Sequence, residues 1–301
     1  MKTELTSNQA ASPNLAPQGL AKRRTKMFAR FLASFVKYFL ISCFGVAFLL
    51  PFLWLVSSSL NTSGQEFVLP PQWWPKPFHW SNFAEVFSYI PFARFYWNTI
   101  VITICTVIGS NLSNVIVAYG FSRLKWKGRD VLFNLVLSSL MIPSISILIP
   151  QYLLFHDFGW INTYYPLIVP AFAGNAFFIF MLRQFFRTIP EEISDAARVD
   201  GASELRTLVS IIAPLARPAI ATVGVFSFMG AWNDFLGPLV YLNSENKYTL
   251  ALGLNMFVSL YSQKWPYMMA AVVMTVIPVI LLFFFFQKTF LRGITLTGMS
   301  R

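Results

Sequence analysis

The chain has 301 residues, of which 56% are hydrophobic and only 12% charged, and its formal net charge is +11. An average soluble domain is about 25% charged, so this composition, with a mean hydropathy of +0.58, excludes an ordinary water-facing surface and points to an integral membrane protein. Cys43 and Cys105 lie in apolar runs, and with only His79 and His156 beside them they form no zinc or haem ligand set of usual spacing.

Residues 1–30 are polar and basic, and are expected to form a tail. The first apolar run, Tyr38 to Ser58, is long enough to span and is read as a retained anchor within a first helical segment at 31–60. An outer loop at 61–96 follows, rich in Pro70, Pro71, Trp73, Trp74, Pro75, Pro77 and Trp80. It suits either an interfacial aromatic belt or a docking surface for an external partner. Five further spans are expected in a core at 97–291, at 97–120, 131–154, 165–187, 217–240 and 268–290. A second aromatic outer loop lies at 241–267, and a short tail at 292–301. No internal repeat is evident, which argues against inverted-repeat folds.

With six spans and both termini inside, the inner segments hold 19 of the 23 Lys and Arg residues. Only Lys76, Arg94, Lys247 and Lys264 fall outside. Basic residues concentrate on the cytoplasmic side, so the surplus is an orientation signal and not a nucleic-acid footprint. The expected class is an all-α polytopic membrane protein with both termini cytoplasmic.

The inner segment 188–218 between the fourth and fifth spans is patterned. Thr188 and Glu191 have the spacing of a capping box, with Pro190 tolerable in the first turn. Ile189, Ile193, Ala196 and Ala197 fall on one helical face, with Glu192, Asp195 and Arg198 interleaved. Gly201 suits a helix stop, and Ser203 can cap a second helix in which Leu205, Leu208, Val209 and Ile212 share a face. Pro214 and Pro218 end that piece. The pattern specifies a helix, a tight turn and a second helix, open to two readings: an amphipathic hairpin on the membrane face or a docking element.

Asp195-Ala196-Ala197, three residues, Gly201, nine residues, Ile211, one residue and Ala213-Pro214 resemble the EAA motif of ABC-importer permeases. That pattern runs Glu-Ala-Ala, x3, Gly, x9, Ile-x-Leu-Pro; here Asp195 stands for Glu and Ala213 for Leu. Ala231-Trp232-Asn233-Asp234-Phe235-Leu236 with Pro238-Leu239 is similar to the fifth span of maltose-type carbohydrate permeases, and Pro91-Phe92 with Asn98-Thr99 is a fainter echo. The resemblance covers roughly residues 60–300 and implies a type I importer fold of six transmembrane helices. It also implies a sugar or oligosaccharide as the solute, with a polyol or phosphate ester still open. The implied partners are a second, non-identical permease subunit, two ATP-binding subunits and an external solute-binding protein, with membrane lipid around the spans. Docking of the ATP-binding subunit would fall to Glu192, Asp195, Ala196, Ala197, Asp200 and Gly201.

The chain has no Gly-x4-Gly-Lys-Ser/Thr segment, so no enzymatic activity and no cofactor of its own are expected; ATP and Mg would belong to partner subunits. Asp234 and Asn233 in an apolar span are either pathway groups or interhelical hydrogen-bonding groups. The same two readings hold for Thr99, Thr103, Thr106, Ser110 and Asn114, which recur at helical spacing, and for Asn175. An ion-driven secondary transporter would carry ionisable residues in several spans, whereas Asp234 is the one clear carboxylate in a span. A membrane enzyme would need a cluster of His, Asp, Glu or Ser at one face, and the sequence offers none.

Overall fold

The computed structural model describes residues 18–62, 64, 73–260 and 264–297. Residues 1–17 of the expected tail at 1–30 and 298–301 of that at 292–301 lie outside the described residues, as do Pro70 and Pro71 of the outer loop. Helical structure already begins at Gln18 and the last helix runs on to Thr297, so both tails are shorter than expected. In chain order the helices are α1 (Gln18–Ser59), α2 (Ser81–Tyr89), α3 (Phe92–Arg123), α4 (Arg129–Ser138), α5 (Ser144–Asp157), α6 (Tyr165–Ile168), α7 (Ala176–Thr188), α8 (Glu191–Val199), α9 (Glu204–Thr207), α10 (Ala213–Leu215), α11 (Arg217–Trp232), α12 (Leu236–Tyr241), α13 (Leu250–Leu260) and α14 (Trp265–Thr297). No strand occurs among the described residues.

The chain divides into a unit ending at Trp54 and a larger one from Leu55. Within the first, α1 shows lipid-type side chains such as Phe31, Phe39, Phe44 and Phe48 outward, Phe48 at 82% exposure. Arg30–Ser59, Phe92–Arg123, Tyr165–Thr188 and Trp265–Gln287 are each long and apolar enough to cross a membrane, and by length and composition the number among the described residues reaches six if each of two bent helix pairs is one span.

The bends correct the sequence reading. The expected span at 131–154 breaks between Met141 and Ser144, where the helix axes differ by 102°. Pro143 has no N–H and disfavours helical backbone at Ile142, which is extended with φ −84° and ψ 117°. The expected span at 217–240 ends at Trp232 and resumes as α12 after Asn233–Phe235. Before α11, across an 83° bend, lies the helical segment Glu204–Leu215, which belongs to the 188–218 hairpin. The outer loops are also more ordered than expected, since α2 and α13 lie inside them.

In the larger unit α3 is the axle, packed along α7 and α11, while α14 packs on α2, α11 and α13. Its two ends seat in separate cores. Phe92 and Phe95 join Val86, Trp232, Leu250, Phe257, Ala270 and Ala271 at one end; Ala118 and Tyr119 join Leu182, Phe186, Leu208, Ile212 and Val223 at the other. At 1.5 Å rise per residue these cores are about 35 Å apart, the depth of a bilayer's apolar layer.

α13 is keyed into the first core by a close approach. Its Gly253 leaves no room for a Cβ beside the buried Phe95 ring, and the N–H of Leu250 is accepted by Thr99 Oγ1 at 2.8 Å. Asn98 Nδ2 donates to Asn246 O and Tyr248 O at 3.0 and 2.9 Å, fixing the turn before α13. Gly253→Ala therefore overpacks the site and is expected to destabilise the fold by about 1–3 kcal/mol. Tryptophan-fluorescence melting of the purified protein in detergent reads this as a lowered transition temperature.

Candidate functional site

The 188–218 segment forms the expected hairpin, but its mounting differs from the sequence reading. The capping box is not made. Thr188 is the last residue of α7 and its Oγ1 donates to Phe185 O at 2.7 Å, while α8 follows Pro190 with no side-chain cap. The turn is held by Arg123 from the end of α3. Its Nη2 donates to Phe186 O and Ile189 O, both at 2.6 Å, and its Nη1 to Pro190 O at 3.5 Å. Arg123 is only 6% exposed. A guanidinium suits this place because its donors form a planar fork, and its charge complements the negative end of α7. Glu191, freed from capping, pairs with Lys125 at 3.1 Å, and that hydrogen bond holds its carboxyl below the usual glutamate range.

The turn itself is as the sequence specifies. Gly201 adopts φ +77°, a region that suits glycine. Ala202 N donates to Ala197 O at 2.9 Å and Gly201 N to Arg198 O at 3.0 Å, the paired bonds of a Schellman stop. Ser203 Oγ accepts from Arg206 N at 3.3 Å and caps α9. The helical faces sort differently from expectation, however. In α8, Ser194 and Ala197 turn inward, whereas Ile193, Ala196, Val199 and Asp200 face outward, Val199 at 88% exposure. In the second piece Leu208 and Ile212 are buried but Leu205 and Val209 are exposed. A π-helical turn over Leu208–Ile212 adds a residue to the repeat and breaks the shared face.

Glu204 ties the hairpin to α3. Arg198 Nε donates to its Oε1 at 2.9 Å, and Tyr119 Oη donates to its Oε2 at 2.5 Å. Arg198 Nη1 also reaches Asp195 Oδ1 at 2.7 Å. These bonds hold the Glu204 carboxyl below its ordinary value and raise the Arg198 guanidinium. Sequence reasoning missed Arg123, Tyr119 and Glu204 as a set. Of the six residues assigned to docking, Ala197 is only 5% exposed, so it supports the hairpin from within, while Glu192, Asp195, Ala196, Asp200 and Gly201 remain accessible.

A second feature is a cavity of about 460 Å³ halfway along α3. Thr106, Ser110, Asn175, Ser227, Asp234 and Thr249 supply its polar lining, and Ile102, Leu167, Pro170, Phe178 and Phe226 are among its apolar walls. Ser227 Oγ donates to Ser110 Oγ at 2.8 Å, joining α11 to α3 across the cavity edge. Asp234 Oδ1 accepts from Gly237 N, 3.0 Å away, at the start of α12. The Thr249 hydroxyl is buried without a hydrogen-bond partner among the described residues. Asn175 Oδ1 accepts from Phe177 N and Phe178 N and caps α7. Asn114 and Asn233 are not part of the lining. Asn114 is fully buried, and its Oδ1 accepts Asn175 N at 2.7 Å. Asn233 is exposed and its Nδ2 bonds Met229 O at 2.9 Å.

A hairpin at one end of a helical bundle and a cavity of mixed apolar and polar lining suit transport better than chemistry. A family model described as "Binding-protein-dependent transport system inner membrane component" matches residues 115–296. The chain belongs to this family. Its members are the membrane-spanning, non-enzymatic subunits of ABC importers in the cytoplasmic membrane, working with ATP-binding and solute-binding partners. The diacetylchitobiose uptake permease NgcG of Streptomyces coelicolor is 30% identical over 89% of both chains. The arabinooligosaccharide permease AraQ of Halalkalibacterium halodurans is 34% identical over 72% of this chain and 78% of its own. The lactose permease LacG of Rhizobium radiobacter is 30% identical over 88% and 96%. Among solved structures, a bacterial ABC transporter that imports the acidic polysaccharide alginate matches with a TM-score of 0.75 and 27% identity, over 86% of this chain and 97% of that one.

The Glu204 tie has a pH signature. Its carboxyl is depressed in the folded chain, so its stabilisation is complete above the ordinary glutamate pKa of about 4.3 and fades as pH falls through the lower folded value. Limited proteolysis of the hairpin is expected to quicken across that acidic window, and Glu204→Gln to bring the faster cleavage to neutral pH.

Proposed function

We propose that this permease subunit moves a sugar or oligosaccharide across the cytoplasmic membrane, with the hairpin seated on an ATP-binding subunit and the solute passing the Asp234 cavity. The three relatives act on diacetylchitobiose, arabinooligosaccharides and lactose, as their names state; their shared chemistry is a chain of neutral or N-acetylated sugar rings. The cavity lining suits that chemistry, since apolar walls can meet ring faces while hydroxyl, amide and carboxylate groups meet sugar hydroxyls. The hairpin end is cytoplasmic in this reading, which agrees with the basic residues at Arg123–Arg129 and Arg183–Arg217. A second, non-identical permease subunit, two ATP-binding subunits and an external binding protein complete the assembly, with ATP and Mg held by the ATP-binding pair.

The observation that carries the docking assignment is the outward strip Glu192, Ala196, Val199 and Asp200 on a helix anchored from behind. Val199, 88% exposed, is an apolar side chain that a partner's groove would cover. Buried Arg123 and the Glu204 bonds let the strip transmit force instead of yielding. Docking residues and substrate contacts are tested separately.

Val199→Asp alters only this outer surface, so the variant is expected to fold yet lose its co-purifying ATP-binding subunit. Unchanged recovery of that subunit would overturn the docking face. Asp234→Asn keeps an oxygen for the Gly237 N–H while removing the charge. In liposomes with the binding protein, it is expected to lower solute uptake by about tenfold, the scale of one charge-assisted hydrogen bond, while the complex stays assembled. A panel of oligosaccharides, polyols and phosphate esters scored for ATPase stimulation identifies the solute class.

A further inference from the structure

A second cavity, of about 520 Å³, opens where the ends of α3 and α7 meet the start of α4. Its lining brings together Arg123, Lys125, Arg129, Arg183 and Arg187, against Glu191 and Glu192. Most of these cations have duties inside the fold. Arg123 holds the carbonyls of the α7–α8 turn, and Arg183 bonds Phe121 O at 3.1 Å while stacking on Phe133 at 3.9 Å. Lys125 pairs with Glu191, and Arg129 with Asp130, which also lies 3.5 Å from Arg183. Arg187, in the last turn of α7, has no carboxylate in ion-pairing range among the described residues. Five cations against Glu191, Glu192 and the adjoining Asp130 leave a positive surplus centred on Arg187, which an entering anion would offset.

The neighbouring surface says what kind of anion. On α4, within two turns of Arg129, Val131 is 67% exposed, Leu135 62% and Leu132 47%, an apolar strip on a helix that, with α5, is long and apolar enough to enter a membrane. Trp126, 42% exposed, lies in the loop between Lys125 and Lys127, where an interfacial tryptophan marks headgroup depth. Basic charge at the mouth and apolar surface below it match a molecule with a phosphate and acyl chains.

We propose that this cavity binds the headgroup of an anionic phospholipid, with the phosphate near Arg187 and Arg129 and the chains along Val131, Leu132 and Leu135. Basic pockets between spans on the cytoplasmic side hold such headgroups. The site rests on this end facing the cytoplasm, and it is independent of which solute is carried. It places a lipid beside Glu191 and Glu192 at the root of the hairpin, so lipid composition would tune how firmly the hairpin is held.

The test uses the detergent-purified importer complex and native mass spectrometry after delipidation and re-addition of phosphatidylglycerol or phosphatidylcholine. Phosphatidylglycerol is expected to remain bound preferentially, and Arg187→Gln to lower its retention about fivefold, the weight of one basic residue at an anionic surface. Lys127→Gln, which removes the same charge from the neighbouring α3–α4 loop outside the lining, is the control and is expected to leave retention unchanged. Thermal melting verifies that both variants fold. Equal retention of the two lipids, equal loss in both variants, or full displacement by millimolar inorganic phosphate would overturn the proposal, the last by assigning a free-anion site. Protection of Arg187 from arginine-specific labelling by the ATP-binding subunit, in place of lipid, would overturn it as well.

Discussion

The buried guanidinium of Arg123 is the constraint on which the hairpin end of this bundle depends. A helix that stops beside a membrane leaves carbonyl groups unpaired, and each costs free energy unless a donor arrives. Here one side chain from α3 supplies Phe186, Ile189 and Pro190 together. The end of α7, the extended step into α8 and the end of α3 therefore behave as one joint. Glu204 adds a second tie from Tyr119 on the same helix, one turn before Arg123. Two attachments resist rotation where one would act as a pivot, so the hairpin can be displaced but not easily swung.

The polar residues of α3 divide their labour along its length for the same economic reason that governs any apolar environment: a polar group there must find a partner or a use. Thr99 spends its hydroxyl on Phe95 O and on the N–H that opens α13. Asn114 bonds Ser110 and the backbone at Asn175, holding the break between Ala173 and α7. Between them Thr106 and Ser110 border the cavity while bonding across it, Thr106 Oγ1 to Leu167 O at 3.3 Å and Ser110 Oγ with Ser227 Oγ at 2.8 Å. A stripe with one helical period thus contains both residues locked between neighbouring elements and residues at a cavity wall, which is why spacing alone left them undecided.

What the sequence made legible was local. Gly201, Ser203 and the helix–turn–helix of 188–218 follow from residues within a few positions of one another, as caps and turns do. The partners that mount the hairpin lie 63 and 85 positions from the atoms they bond, and no periodicity reports such a distance. The capping box failed because α7 runs through Thr188 and Arg123 already fixes the turn that a box would have set. The bend at Pro143 was written in the chain, yet a hydropathy run averages over it. The outer helices α2 and α13 were hidden by flanking prolines and tyrosines that read as loop. Of the cavity, Asp234, Thr106, Ser110 and Asn175 were nameable in advance, but Ser227 and Thr249 carry no signal until α11 and the turn before α13 fold against α3.

The hairpin reaches the cavity by two mechanical routes. One runs through the Tyr119–Glu204 bond into α3, and the other follows the chain through the π-helical turn and α10 into α11, which ends at the Asn233–Asp234 break. These two helices are the most extensively packed pair in the bundle, and they meet at Ser110 and Ser227, at the edge of the cavity. A displacement of the hairpin that moved both helices equally would leave the cavity unchanged. The routes differ in stiffness, however: α3 is a continuous helix, whereas the path to α11 contains the π-turn and an 83° bend. A push on the hairpin would therefore move α3 and α11 unequally, and the Ser110–Ser227 contact and Asp234 border the space whose shape such a relative motion would change.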